Sequence, residues 1–186
     1  MNDALSVVLK AVQRRPDQPL LIAIDGRCAA GKTTLAAELQ RALDCNVIHM
    51  DDFFLQPHQR TESRLRQPGE NVDHERFLAE VMLPLKAGVP VSYRKFRCKT
   101  MDFSADIPLE PRKITVVEGA YSCHPNLWDN YDLRFFYTID PEEQLRRIAQ
   151  RNGEEALPMF RERWIPLEEA YFAEYRIMER CDHILK

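Results

Sequence analysis

Residues 26–33 read Gly-Arg-Cys-Ala-Ala-Gly-Lys-Thr and satisfy the pattern G-x-x-x-x-G-K-[ST] at every fixed position. The octet follows an apolar run at 19–25 that reads as a buried strand. It precedes residues 32–43, whose apolar positions recur at helical spacing. A strand, a loop bracketed by glycines and a helix, in that order, leave few folds open. Glycine allows backbone geometry that turns several N–H groups inward at an anion, and the helix adds the partial positive charge of its N-terminus. The pattern therefore predicts a loop that cradles nucleotide phosphates through Gly26, Arg27, Cys28, Ala29, Ala30, Gly31, Lys32, Thr33 and Thr34. Lys32 is placed to reach the β- and γ-phosphates, and the Thr33 hydroxyl to ligate Mg²⁺. The chain has only 6 glycines in 186 residues, and two of them fall in this octet.

The remaining residues repeat the theme of buried strand and amphipathic helix. A first helix is predicted over 3–15, closed by Arg14-Arg15-Pro16. Apolar runs at 46–50, 113–118 and 133–139 read as strands, and 183–185 as a short fifth. Asp73 reads as the N-cap of a helix ended by Gly88-Val-Pro90. Further helices are expected from Asp140-Pro141 to about residue 150 and over 166–178. This alternation predicts an α/β fold in one domain spanning 1–186: a five-stranded, mainly parallel sheet with helices on both faces. Residues 91–104 alternate in part and predict a small antiparallel excursion. Residues 55–70, polar with Pro57, Pro68 and Gly69, predict a mobile acceptor-side loop, and 151–165 around Gly153 predict a lid. Ligands in such sheets bind beyond the carboxyl ends of the strands. Here those ends carry Asp25-Gly26, Asp51-Asp52, Glu118-Gly119 and Asp140.

Composition narrows the function. With 26 basic and 29 acidic residues the formal net charge is −3, which argues against a nucleic-acid-binding surface. No apolar run is long enough to cross a membrane, and the N-terminus lacks a signal-peptide pattern. Five cysteines without a CxxC pair suit free thiols in a cytoplasmic protein. His49, His58, His124 and His183 are scattered along the chain, so no transition-metal site is expected. The guanine-reading N-K-x-D and the switch sequence D-x-x-G are both absent, which disfavours a GTPase.

Four segments carry a family resemblance. Residues 47–54, Val-Ile-His-Met-Asp-Asp-Phe-Phe, resemble the D-x-F-[YF] segment of uridine kinases, and phosphoribulokinases and pantothenate kinases have a similar one. Residues 71–77 resemble the uridine kinase segment F-D-H-P-x-A-F, Glu118-Gly119 their third-strand E-G, and 180–185 their closing strand. Order and spacing hold from about residue 20 to the end. The chain thus resembles the uridine kinase-like family of P-loop kinases. The resemblance implies the P-loop kinase fold, ATP and Mg²⁺ as cofactors, and transfer of the γ-phosphoryl of ATP to an alcohol. The implied acceptor is the 5′-hydroxyl of a uridine- or cytidine-like nucleoside, with Asp51 as the base and Asp73 holding ribose hydroxyls. The expected partners are ATP and a small-molecule substrate, with neither nucleic acid nor membrane; a homo-oligomer is compatible with the chain. Val72 and Glu75 depart from the family pattern, 91–104 matches its base-binding hairpin only loosely, and 151–163 lacks its R-D…R-G-R run.

Each assignment has a plainer counterpart. Asp52 could be the base instead of Asp51, or both acids could cap the next turn. Glu118 stands where a metal-side carboxylate is expected, or organises its loop as a paired buried acid. Asp73 could instead be a plain helix N-cap. Tyr93 and Phe96 could stack on a base or simply pack. Arg147, Arg151, Arg161 and Arg163 flank Gly153, and Arg151, at the helix end, is the best placed to close on the transferring phosphate. Asp25 reads as structural, Cys98 as an inert thiol, and Trp128 and Trp164 as packing anchors. The rival functions are a kinase for another alcohol (pantothenate-, sugar- or glycerate-like) and a non-catalytic nucleotide-binding regulator.

Overall fold

The computed structural model describes residues 3–15 and 17–186; the break read at Pro16 lies outside them. Five strands form one parallel sheet: β1 (Leu20–Gly26), β2 (Cys45–His49), β3 (Ile114–Glu118), β4 (Leu133–Tyr137) and β5 (His183–Leu185). Their order across the sheet is β2-β3-β1-β4-β5, so β1 is central and buried along its whole length. Period-two geometry divides its side chains between two cores. Leu20, Ile22 and Ile24 meet Ala4 and Val8 of α1 (Asp3–Arg14) and Leu35 and Leu39 of α2 (Lys32–Ala42). Leu21 and Ala23 join the opposite core with Phe77, Val81 and Tyr171. Both faces being covered, the strand reads as a continuous apolar run rather than an alternating one.

Register sets the position of the site. Ile24 and His49 both pair with Glu118, so β1, β2 and β3 finish level. The loop after β1, the 3₁₀ turn Met50–Phe53 after β2 and Gly119 after β3 consequently open on one edge of the sheet.

Three segments differ from the sequence expectation. Residues 55–70 are built, not irregular: a 3₁₀ turn at Pro57–Gln59 and a helix at Glu62–Leu65, the latter capped by Thr61. Arg64 ties this segment down by donating to Glu75 and to the Glu70 and Val72 carbonyls. The antiparallel excursion reaches further than 104. Ser92–Tyr93 pairs with Ile107–Pro108, and Phe96–Arg97 with Asp102–Phe103. The returning strand ends in a proline, which can sit only where no ladder N–H is required, and so it carries little strand signal.

The third difference concerns helices. After α3 (Pro141–Asn152) the chain breaks at Gly153 (φ 88°) and then runs helically through 154–164 into α4 (Ile165–Tyr175). The segment expected to form a lid is therefore helical on both sides of Gly153. Among the described residues two π turns occur, at Leu78–Met82 and Phe160–Trp164, each ending two residues before a proline, Pro84 and Pro166. Proline lacks an N–H and crowds the carbonyl four residues earlier. Widening the turn by one residue lets the helix continue past it.

Candidate active site

The phosphate loop is shaped from below. Gly26 has φ 130°, and a Cβ there would lie 2.1 Å from the Tyr137 carbonyl oxygen, which restricts the position to glycine. Beneath it Asp25 is fully buried. It accepts from the amides of Gly26 (2.6 Å), Tyr121 (3.2 Å) and Cys123 (2.8 Å) and from the Tyr171 hydroxyl (2.8 Å). Asp25 thus joins the loop to the β3 loop and to α4, the structural role its position suggested. Burial holds its carboxyl above the ordinary aspartate range.

Above the loop the groups are left for a ligand. Gly31 is the N-cap of α2 and no side chain caps that helix, so its first-turn amides lack intrahelical partners. Lys32 Nζ lies over the loop, donating to the carbonyls of Gly26 (2.6 Å) and Arg27 (2.8 Å). Arg27 itself turns away from the cavity to Glu169 and Thr138. The Cys28 amide donates to Glu168 (2.9 Å), whose carboxyl is pushed up to about 7 by burial. Burial, with Glu168 beside it, also pushes the Cys28 thiol up to about 12, which keeps it protonated and unreactive.

Thr33 and Glu118 come together as the sequence pattern anticipated: the hydroxyl donates to the carboxylate at 3.1 Å. His49 is hydrogen-bonded to the same carboxylate, which raises the affinity of the ring for its proton. A hydroxyl and a buried carboxylate, both hard oxygen donors, fit Mg²⁺. Asp51 and Asp52 diverge. Asp51 is exposed at the cavity, yet the surrounding protein partly desolvates its carboxyl and, with the Glu118 charge, holds it above the usual aspartate range. Asp52 points to the excursion, where it accepts from Tyr93 (3.3 Å) and pairs with Lys95 (3.0 Å).

A single cavity of about 950 Å³ contains Lys32, Thr33, Asp51, Glu118, Arg147, Arg151 and Arg163. It also reaches Thr34, Arg60, Asn71 and Tyr121, and Trp164 lines it rather than anchoring packing. Arg147 donates to the Ala30 carbonyl (3.2 Å), and Arg151 to Asn152 (2.8 Å).

Three acceptor-side expectations are corrected. Asp73 is buried and caps its helix, accepting from the Arg76 amide (3.1 Å), with the Arg76 guanidinium at 3.5 Å; it does not line the cavity. Tyr93 is stacked on Phe53 with ring centroids 5.3 Å apart, and Phe96 packs edge-on to Phe103. Both rings are buried in protein contacts and offer no face to a base. Nor are all the histidines scattered: His74 stacks on His124 with ring centroids 3.9 Å apart. Among the described residues, Glu70, His74 and His124 form the one cluster of three His, Cys, Asp or Glu side chains close enough together to share a metal ion. The Asn126 amide donates to His124 Nδ1 at 3.2 Å, which puts the neutral ring's proton on Nε2, facing Glu70 at 3.6 Å. That tautomer presents a proton, not a lone pair, to the centre of the group. Glu168 and Arg60 carried no sequence signal beyond polarity on a helix and in a loop.

No family model matches the chain. It is 36% identical over 140 residues to nicotinamide riboside kinase 2 of Homo sapiens, covering 72% of this chain and 58% of the human protein. It is 34% identical over 139 residues to nicotinamide riboside kinase 2 of Mus musculus, covering 71% of this chain and 68% of that one. In structure it is similar to a possible uridine kinase from Bacillus stearothermophilus, with TM-score 0.71, 19% identity and coverage of 99% and 98% of the two chains.

Proposed function

The chain belongs to the uridine kinase-like family of P-loop kinases, and from that membership we propose that it transfers the γ-phosphoryl group of ATP to an alcohol of a small molecule, the 5′-hydroxyl of a nucleoside-type acceptor. One observation carries the reading: a single cavity joins Lys32 and the uncapped start of α2 to the carboxylate of Asp51. The loop amides and Lys32 bind the triphosphate. Thr33 and Glu118 would hold Mg²⁺, which when bound neutralises charge on the phosphate oxygens. Asp51 orients the acceptor hydroxyl and takes its proton, a task suited to a carboxyl whose proton affinity is already raised. Arg151 and Arg163 face the same cavity and neutralise the transferring group. With Asp73 engaged in its helix cap, the acceptor is recognised by other residues of the cavity.

The test is ADP formation from Mg·ATP in the presence of a panel of nucleosides, polyols and hydroxy acids, with the Asp51→Asn protein in parallel. Acceptor-dependent ADP release that Asp51→Asn suppresses supports the assignment. A folded protein that binds Mg·ATP and phosphorylates no acceptor is instead the non-catalytic regulator.

A further inference from the structure

Arg60 stands apart from the other arginines of its region. Arg64, Arg66 and Arg76 each pair with a carboxylate: Glu75, Glu62 and Glu80 respectively. Among the described residues Arg60 has no such partner. Its Nε donates to the Leu55 carbonyl (2.9 Å) and its Nη2 to the Cys98 sulfur (3.4 Å). These two contacts orient the exposed guanidinium and leave its other N–H groups free for a ligand. The backbone beneath it is fixed: Gln56 and Gln59 cap each other's turn on one side, and Thr61 caps Glu62–Leu65 on the other. Arg60 lines the cavity together with Phe54, Leu55 and Leu65. The carboxylates of that cavity are all committed elsewhere. Asp51 is the base, Glu118 is held by Thr33 and His49, and Glu168 holds the Cys28 amide.

We propose that Arg60 is a specificity-determining residue that binds a carboxylate carried by the acceptor. This rests on the kinase reading above and narrows it to acidic acceptors. A guanidinium with one edge pinned still presents a planar donor pair of the spacing a carboxylate accepts. A cationic acceptor would meet an unbalanced positive charge in the same place.

The experiment uses acceptors that differ only in this group: nicotinic acid riboside against nicotinamide riboside, and D-glycerate against glycerol. Steady-state kinetics are measured on the wild-type chain, Arg60→Gln and Arg60→Lys. The wild type is expected to favour the acid of at least one pair by about 10- to 100-fold in kcat/KM, the range of a charge-assisted hydrogen bond. Arg60→Gln should bring that ratio close to one, chiefly through KM for the acid, with KM for Mg·ATP unchanged. Arg60→Lys should keep part of the preference. Because the readout is a ratio within one protein, a general loss of folding does not imitate it. Equal rates on acid and neutral partner, or a preference that survives Arg60→Gln, overturn the inference while leaving the kinase reading intact. Absence of phosphorylation of all four compounds overturns the inference; the kinase reading falls with it only if the wider panel of nucleosides, polyols and hydroxy acids is also left untouched by protein that binds Mg·ATP.

Discussion

Asp51 and Asp52 are chemically identical neighbours whose surroundings separate them. Asp51 shares its space with Lys32 and Glu118, Asp52 with Tyr93 and Lys95. Asp51→Asn preserves shape and removes the proton acceptor, so kcat should fall by about 10²-fold or more with ATP affinity little changed. Asp52→Asn should leave kcat within a few-fold. The two variants, assayed side by side for initial rate, check which acid is the base. Asp25 makes a different kind of demand. Replacing it with alanine strands three amides and the Tyr171 hydroxyl in the core, each otherwise satisfied by one carboxylate. An unfolding-stability loss of about 3–5 kcal/mol is expected from urea titration, well above that of an ordinary surface change.

Among the elements, the clasp between Glu70, the helix start at His74 and the cap at His124 makes stability depend on acid. His74 Nε2 lies 3.1 Å from Glu70, and burial, with His74 beside it, pulls His124 down to about 3. As pH falls below the ordinary histidine value of 6.5, the unfolded chain takes up a proton at this position that the folded chain refuses until about 3. Stability is therefore lost across that window, by up to about 1.4 kcal/mol per pH unit from this ring. His124→Asn keeps a side chain able to cap Asn126 and removes the titration, so thermal melts between pH 7 and 4.5 should show a shallower slope than the wild type. The strands and the phosphate loop were legible in the sequence because a run such as 20–26 or the octet at 26–33 declares itself locally. The stacking of His74 on His124 was not, since only packing brings positions so distant together. Tyr93 and Phe96 misled for the same reason: an aromatic pattern states that a ring will be buried, and not whether protein or ligand buries it. The two-residue strands lay below any periodicity. The π turns, by contrast, could have been anticipated from Pro84 and Pro166, each set inside an otherwise helical pattern.

For the molecule as a whole, a nucleotide that engages the loop binds only the folded state and stabilises it by mass action. At a Mg·ATP concentration of about 100 times Kd the gain is about 2.7 kcal/mol, or about 5–10 °C in Tm for a chain of this size. Lys32→Ala should fold normally and lose most of that rise in a thermal-shift measurement. The strand order has a consequence for how the protein is made. β1, the central strand, leaves the ribosome before both of its neighbours, for Leu20 pairs with Ile114 and Ile22 with Leu133. Until β4 has been synthesised, β1 has an unpaired edge and an apolar run with nothing on one flank. A chain halted before residue 133 would expose that edge to other chains, as unpaired strands do. Synthesis is thus a race between elongation and association, and slowing translation after β1 should lower the yield of native protein more than slowing it after β4.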